Sequence, residues 1–256
     1  MNTVVVRDPL KDRNTMVIED ADTSPRLRAR IAGVLYALTG VFVFDQVVFG
    51  RLVVYGDAAA TAHNILEHQM LFRLGFAAHV IADLCNFPLA VIFYGLFKVV
   101  DRSIALLVVF LILAGTVVDA VSLLGHFAPL VLMGGNSYLT GLKPEELQSL
   151  TSISLELFQE GLVISLVFFG CYCLSMGYLV FRSTFLPRIV GVLMAIGGVA
   201  YLINSFANFL APAFARHLFP YILVFPGFGE GSLILSLLVI GVNVQRWREQ
   251  AGVGPA

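Results

Sequence analysis

The chain has 256 residues, of which 58% are hydrophobic and only 13% charged, against about 25% charged in an ordinary soluble domain. The 16 Lys and Arg nearly cancel the 17 Asp and Glu, which leaves no basic field for nucleic acid and no acidic excess to keep a chain disordered. A soluble globular protein and a nucleic-acid partner are excluded, and an integral membrane protein remains.

Residues 1–29 form a polar lead, expected in the cytoplasm, whose basic run Arg26, Arg28 and Arg30 directly precedes the first long apolar segment. It is not a signal peptide, whose apolar core would follow a short basic start and end at a small-residue cleavage site. About 20 mainly apolar residues cross the hydrocarbon layer, and by that rule six spans follow, near 31–50, 71–97, 103–132, 153–181, 188–210 and 229–247. The predicted class is an all-α, polytopic transmembrane bundle over residues 30–248, with a short tail at 249–256.

Between spans one and two, GDAAATAHNILEHQ reads as a short interfacial helix capped by Asp57. Pro144, Glu145 and Glu146 suit the first turn of the fourth helix, where acids meet the positive end of the macrodipole. The stretch 211–228 carries Pro212, Pro220 and Pro226. It predicts a broken interfacial or re-entrant segment, the re-entrant form making a seventh membrane element.

With the N-terminus inside, twelve Lys and Arg fall on the cytoplasmic side and Arg51, Arg73, Lys143 and Arg216 on the other. That positive-inside bias predicts both termini in the cytoplasm and a multi-pass protein of the inner (plasma) membrane. Cys85, Cys171 and Cys173 are too few for a disulfide framework or a metal cage, and read as small buried hydrophobes.

Ionisable groups inside spans cost about 2.5–3.5 kcal/mol each on insertion, so their placement is informative. On span two His79, Asp83 and Asn86 follow i, i+4, i+7, and on span three Thr116, Asp119, Ser122 and His126 share one face. Ser152, Glu156 and Glu160 open span four, Asn204 and Asn208 lie on span five, Glu230 opens span six and Asp45 lies well along span one. At 1.5 Å per residue all belong to the midplane or outer half. The expected feature is therefore a polar chamber open toward the outer face or leaflet and sealed below by an apolar cytoplasmic half. Asn204, Asn208, Thr116 and Ser122 read individually as interhelical glue. The carboxylates outnumber the nearby cations Arg73, His79 and His126, and such acids take up a proton or find a cation.

The blocks NILEHQMLFRLG (64–75), ALLVVF after the turn at 98–102, LVFFGCYCLSMGYLVFRSTFLPRIVGVLMAIGGVAYLINSF (166–206) and PGFGEGSL (226–233) together resemble a bacterial integral-membrane family known as domain of unknown function 4386. The resemblance covers most of residues 30–243 and implies a membrane protein of six or seven helices. It implies an acid where this chain has Asn204 and Glu where it has Asp119, whereas Glu67, Arg73 and Glu230 match as they stand. The departure at Asn204 weakens any chemistry that needs a carboxylate there.

The leading functional expectation is a pocket that binds, and transforms by acid–base chemistry, a lipophilic small molecule such as an isoprenoid or membrane lipid. Asp83 and Asp119 would be the acid–base groups and His79 their proton partner, with Asp45, Asn86, His126, Glu156, Glu160, Asn204, Asn208, Glu230 and Arg73 as binding residues. No cofactor is expected. A metal-assisted form using His79, His126, Asp83 and Asp119 is the weaker version, because two histidines at different depths make a poor ligand set. A proton- or cation-coupled carrier using the same acids and a regulatory subunit without chemistry are the alternatives. A hydrated path to the cytoplasm would favour the carrier, and a blind apolar pocket reached from the outer leaflet the binding site.

Overall fold

The computed structural model describes residues 24–135 and 141–252; most of the polar lead and the last four residues of the tail lie outside them. The described chain is helical, and six helical stretches are long and apolar enough to cross a membrane. Span one is Pro25–Leu52, span two Gln69–Phe97, span three Arg102–Leu132, span four Pro144–Arg182, span five Arg188–Leu210 and span six Tyr221–Ile240. The exterior is apolar, with Leu84, Val91, Phe110, Leu124 and Leu157 more than half exposed, while Asp45, His79 and His126 are almost wholly buried. That inversion of the soluble pattern is what a lipid solvent selects.

Span one is two helices, α1 (Pro25–Thr39) and α2 (Phe42–Leu52), separated at Gly40 and Val41. Thr39 Oγ1 donates to the Tyr36 carbonyl at 2.7 Å, a back-bond that bends a helix, and glycine follows at once. The break puts Asp45 in the first turn of α2, where the macrodipole favours a negative charge. The interfacial helix α3 (Ala58–Glu67) forms as its sequence predicts, with Asp57 Oδ1 accepting from the Ala60 N–H at 2.8 Å. Span four starts at Pro144, and Glu146 accepts from the Lys143 N–H at 2.8 Å. Its 39 residues make a rod of about 58 Å, far longer than the hydrocarbon layer is thick.

The expectation for 211–228 is corrected. Pro212–Leu218 is a short helix, but a single 3₁₀ turn at Tyr221–Leu223 then leads directly into the helix Val224–Leu235. Span six therefore begins about eight residues before the predicted 229, and no seventh helix among the described residues is long and apolar enough to cross a membrane. Pro226 is the third residue of that helix, inside the first turn, where a missing N–H costs little. At the other end Gly241, with φ +66°, turns the chain out of the span. The helix Val244–Gln250 then lies across the bundle end, with the Trp247 indole donating to the Leu96 carbonyl at 2.9 Å and Gln250 Oε1 accepting from Thr184.

Each span packs on its neighbour in chain order, and span six closes on span one. The six make a ring. Small residues set a close seam between spans four and five: a Cβ built on Gly191 would lie 2.6 Å from the Gly177 carbonyl, and one on Gly198 would lie 2.7 Å from that of Gly170. Two apolar cores fill the two ends. One is built on Phe93, Phe97, Met176, Leu179 and Phe185, and the other on Phe49, Phe72, Leu123, Leu155 and Phe158.

Candidate intramembrane site

Between those cores four polar side chains from spans one, two and three form a continuous chain. His79 Nδ1 lies 2.9 Å from Asp45 Oδ2 and its Nε2 lies 3.0 Å from Asp119 Oδ2. His126 Nε2 lies 2.9 Å from the second oxygen of Asp45. A carboxylate can only accept, so each of these three contacts contains a proton. A neutral imidazole carries one N–H, hence His79 is doubly protonated or one of its two carboxyls is protonated. Asp45 is the hub, and Gly75 makes room for it: a Cβ there would sit 2.7 Å from Asp45 Oδ1. His126 is held from its other side by stacking on Phe72, with ring centroids 4.4 Å apart, and by an edge contact with Phe158 at 4.9 Å.

His79 and Asp119 open onto a cavity lined from all six spans. Its volume is about 80 Å³, room for several waters or for the polar end of a compact lipophile. One end carries His79, Asp83, Asn86 and Asp119, the far end carries Glu230 with Tyr36, Tyr172 and Tyr201, and Leu89, Ile112, Leu162, Leu166 and Phe169 are among the apolar walls between. Cys173 Sγ stands 3.6 Å from Glu230 Oε1. Asp83 is 6% exposed and its Oδ2 has no hydrogen-bond partner among the described residues; Asp119, also 6% exposed, has Oδ1 in the same condition.

The structure thus brings together Asp45, His79, Asp83, Asn86, Asp119 and His126, with Glu230 across the cavity. It separates the rest. Glu156, Glu160 and Arg73 are exposed. Asn204 is buried but does not line the cavity, and the Asn208 amide donates to the Asn204 carbonyl of its own helix at 2.8 Å. Glu230 sits midway along span six, because that span starts earlier than its sequence suggests. His126 does not reach the cavity, since it is spent on Asp45 and capped by the Phe49–Phe72–Phe158 core. The Phe49–Phe72–Phe158 core therefore covers the end of the cavity beyond His79, as the Phe93–Phe97 core covers the other. Ser205, beside Asn204 on span five, makes the bond between helices instead, its hydroxyl donating to the Val163 carbonyl of span four at 2.9 Å.

Sequence reasoning also misses Tyr36, Tyr172 and Tyr201. The signal was available: a tyrosine deep in an apolar span needs a partner for its hydroxyl, and three of them on spans one, four and five mark the far end of the cavity.

The family model described as Domain of unknown function (DUF4386) matches residues 31–241. No curated protein and no solved structure matches the chain. The chain belongs to the DUF4386 family.

Proposed function

We propose that this protein binds a lipophilic small molecule in its central cavity and acts on the molecule's polar end by acid–base chemistry, in a bundle that crosses the inner (plasma) membrane with both termini in the cytoplasm. The observation that supports it is the pairing of an unpartnered buried carboxyl, Asp83, with a proton-bearing chain, Asp119–His79–Asp45–His126, at one end of an apolar and aromatic cavity. Tertiary structure alone gives no reason to bury a carboxyl oxygen that accepts no hydrogen bond. In this reading Asp83 meets the ligand's polar group. Asp119 supplies or takes up the proton, and His79 restores it from the chain fixed by Asp45. The apolar walls between His79 and Glu230 hold the carbon skeleton, and the volume suits a polar head with a short stem better than a diacyl lipid.

A carrier using the same acids would need a wet path to the inner face. That half is filled by the Phe93–Phe97–Met176–Phe185 core, which favours a blind pocket.

The test is photo-labelling with a diazirine-bearing prenyl alcohol in native membranes, followed by peptide mapping. Saturable labelling within 162–172, competed by unmodified prenyl alcohol and lost in Asp83→Asn, supports the reading. Labelling confined to lipid-facing positions such as Leu157 and Val91, with no dependence on Asp83, contradicts it.

A further inference from the structure

His79 and Asp83 are one helical turn apart on span two and meet Asp119 from span three. One ligating atom of each, the imidazole nitrogen and a carboxylate oxygen from either aspartate, all lie within 4.8 Å of one another. We propose that His79, Asp83 and Asp119 form a binding site for a single divalent transition-metal ion, with Asp45 as the positioning residue behind His79.

Four observations converge on this site. The first is the donor set: one imidazole nitrogen and two carboxylate oxygens suit zinc, manganese or ferrous iron, whereas no thiolate is near to select a softer ion. The second is that both aspartates carry a buried oxygen without a partner, Asp83 Oδ2 and Asp119 Oδ1. Each is more than nine-tenths buried and sits where the cavity begins. The third is the support. A metal-bound histidine generally gives its other N–H to a carboxylate, which fixes its tautomer and raises its basicity; His79 Nδ1 already faces Asp45 Oδ2 at 2.9 Å. Asp45 in turn is held by His126 at 2.9 Å, so the ligand histidine is braced through two further side chains. The fourth is charge. Asp45, Asp83 and Asp119 stand against two imidazoles, and among the described residues no Lys or Arg lines the cavity. In a low dielectric that excess of carboxylates draws in a cation.

The two histidines are therefore not both ligands. Their different depths, which argue against a shared metal in the sequence, place one on the ion and the other behind the supporting carboxylate. An ion about 2.1 Å from each donor would replace the proton now implied between His79 Nε2 and Asp119 Oδ2. It would draw the ligands to about 3–3.5 Å apart, a side-chain adjustment of roughly 1 Å. Three protein ligands leave at least one coordination place, and that place faces the cavity. The proposal stands independently of the lipophilic ligand, because metal content is measured without one.

The experiment uses the full chain purified in mild detergent, stripped with chelator and titrated separately with Zn²⁺, Mn²⁺ and Co²⁺. Metal analysis after desalting should give one ion per chain for at least one of the three. Asp83→Asn and Asp119→Asn should weaken binding at least tenfold. Asp45→Asn should weaken it about 10–100-fold through tautomer and orientation, and the surface variants His63→Gln and His68→Gln should leave it unchanged. Co²⁺ absorption on the wild-type chain does not depend on any variant folding: visible ligand-field bands distinct from those of the hydrated ion are expected. A wild-type chain that retains no ion, a Co²⁺ spectrum identical to that of the hydrated ion, or retention unaffected by Asp83→Asn and Asp119→Asn would overturn the site.

Discussion

Asp83 and Asp119 look alike in exposure but differ in what they touch, and substitution should separate them. Asp119 Oδ2 meets His79 Nε2 at 3.0 Å, so Asp119→Leu strands a buried N–H and should cost about 1–3 kcal/mol. Asp83 Oδ2 has no hydrogen-bond partner among the described residues, so Asp83→Leu and Asp83→Asn should leave the detergent-solubilised protein as stable as wild type, or more so, while removing ligand labelling. Thermal unfolding of the variants checks this, and equal losses for Asp83→Leu and Asp119→Leu would mark both as structural. Gly75→Ala is the complementary change. Its methyl would sit 2.7 Å from Asp45 Oδ1, and overpacking of that kind costs about 1–3 kcal/mol. A Gly75→Ala protein that melts like wild type would show that the Asp45 hub is loosely held. Most of this cluster is legible in the sequence, because an acid in an apolar span is costly enough to stand out on any helix stripe. Asp45 is among those acids, but its role as hub is not legible: it lies on span one, and only folding brings it to two histidines that are 34 and 81 residues away along the chain.

At the scale of elements, the apolar runs locate spans two, three and five to within about two residues, spans one and four start earlier than their apolar runs, and the Asp57 cap and the helix start at Pro144 appear where their local chemistry places them. The errors share one cause. Pro226 reads as a breaker, yet the effect of proline depends on its position in the helix, and that position follows from where the 3₁₀ turn at Tyr221 starts the helix. The break at Gly40 is hidden for the converse reason, since one glycine within an apolar run leaves hydropathy unchanged. Packing between elements offers a sharper test. A side chain at Gly198 would meet the Gly170 carbonyl at 2.7 Å, whereas one at Gly227 meets nothing within 4 Å. Gly198→Ala should therefore destabilise the seam between spans four and five by about 1–3 kcal/mol, while Gly227→Ala should be neutral or slightly stabilising. Equal melting temperatures for the two variants would contradict the close approach of these helices.

At the scale of the whole molecule, the ring has two unlike ends. One end gathers the start of span one, the 98–101 turn, the 183–187 turn and the terminal helix, with Trp247 and Gln250 tying them together; it carries Arg26, Lys98, Arg182, Arg188 and Arg246. The opposite end carries α3 and the long water-exposed start of span four. The proposed orientation puts the basic end in the cytoplasm. On a background without the three native cysteines, an impermeant thiol reagent should label Ser149→Cys in intact cells and Thr184→Cys only after disruption, and the reverse pattern would invert the protein. The central claim is that the ring encloses a ligand-binding site headed by buried acids. It is tested most directly by a side-chain-resolution cryo-EM map of the protein in lipid nanodiscs. His79 should bridge Asp45 and Asp119, with elongated density between Phe169 and Asp83 whose polar end lies within hydrogen-bonding reach of the Asp83 carboxyl. Carboxyls of Asp83 and Asp119 directed into the acyl chains, or a cavity collapsed by side chains with no room for a ligand, would contradict it.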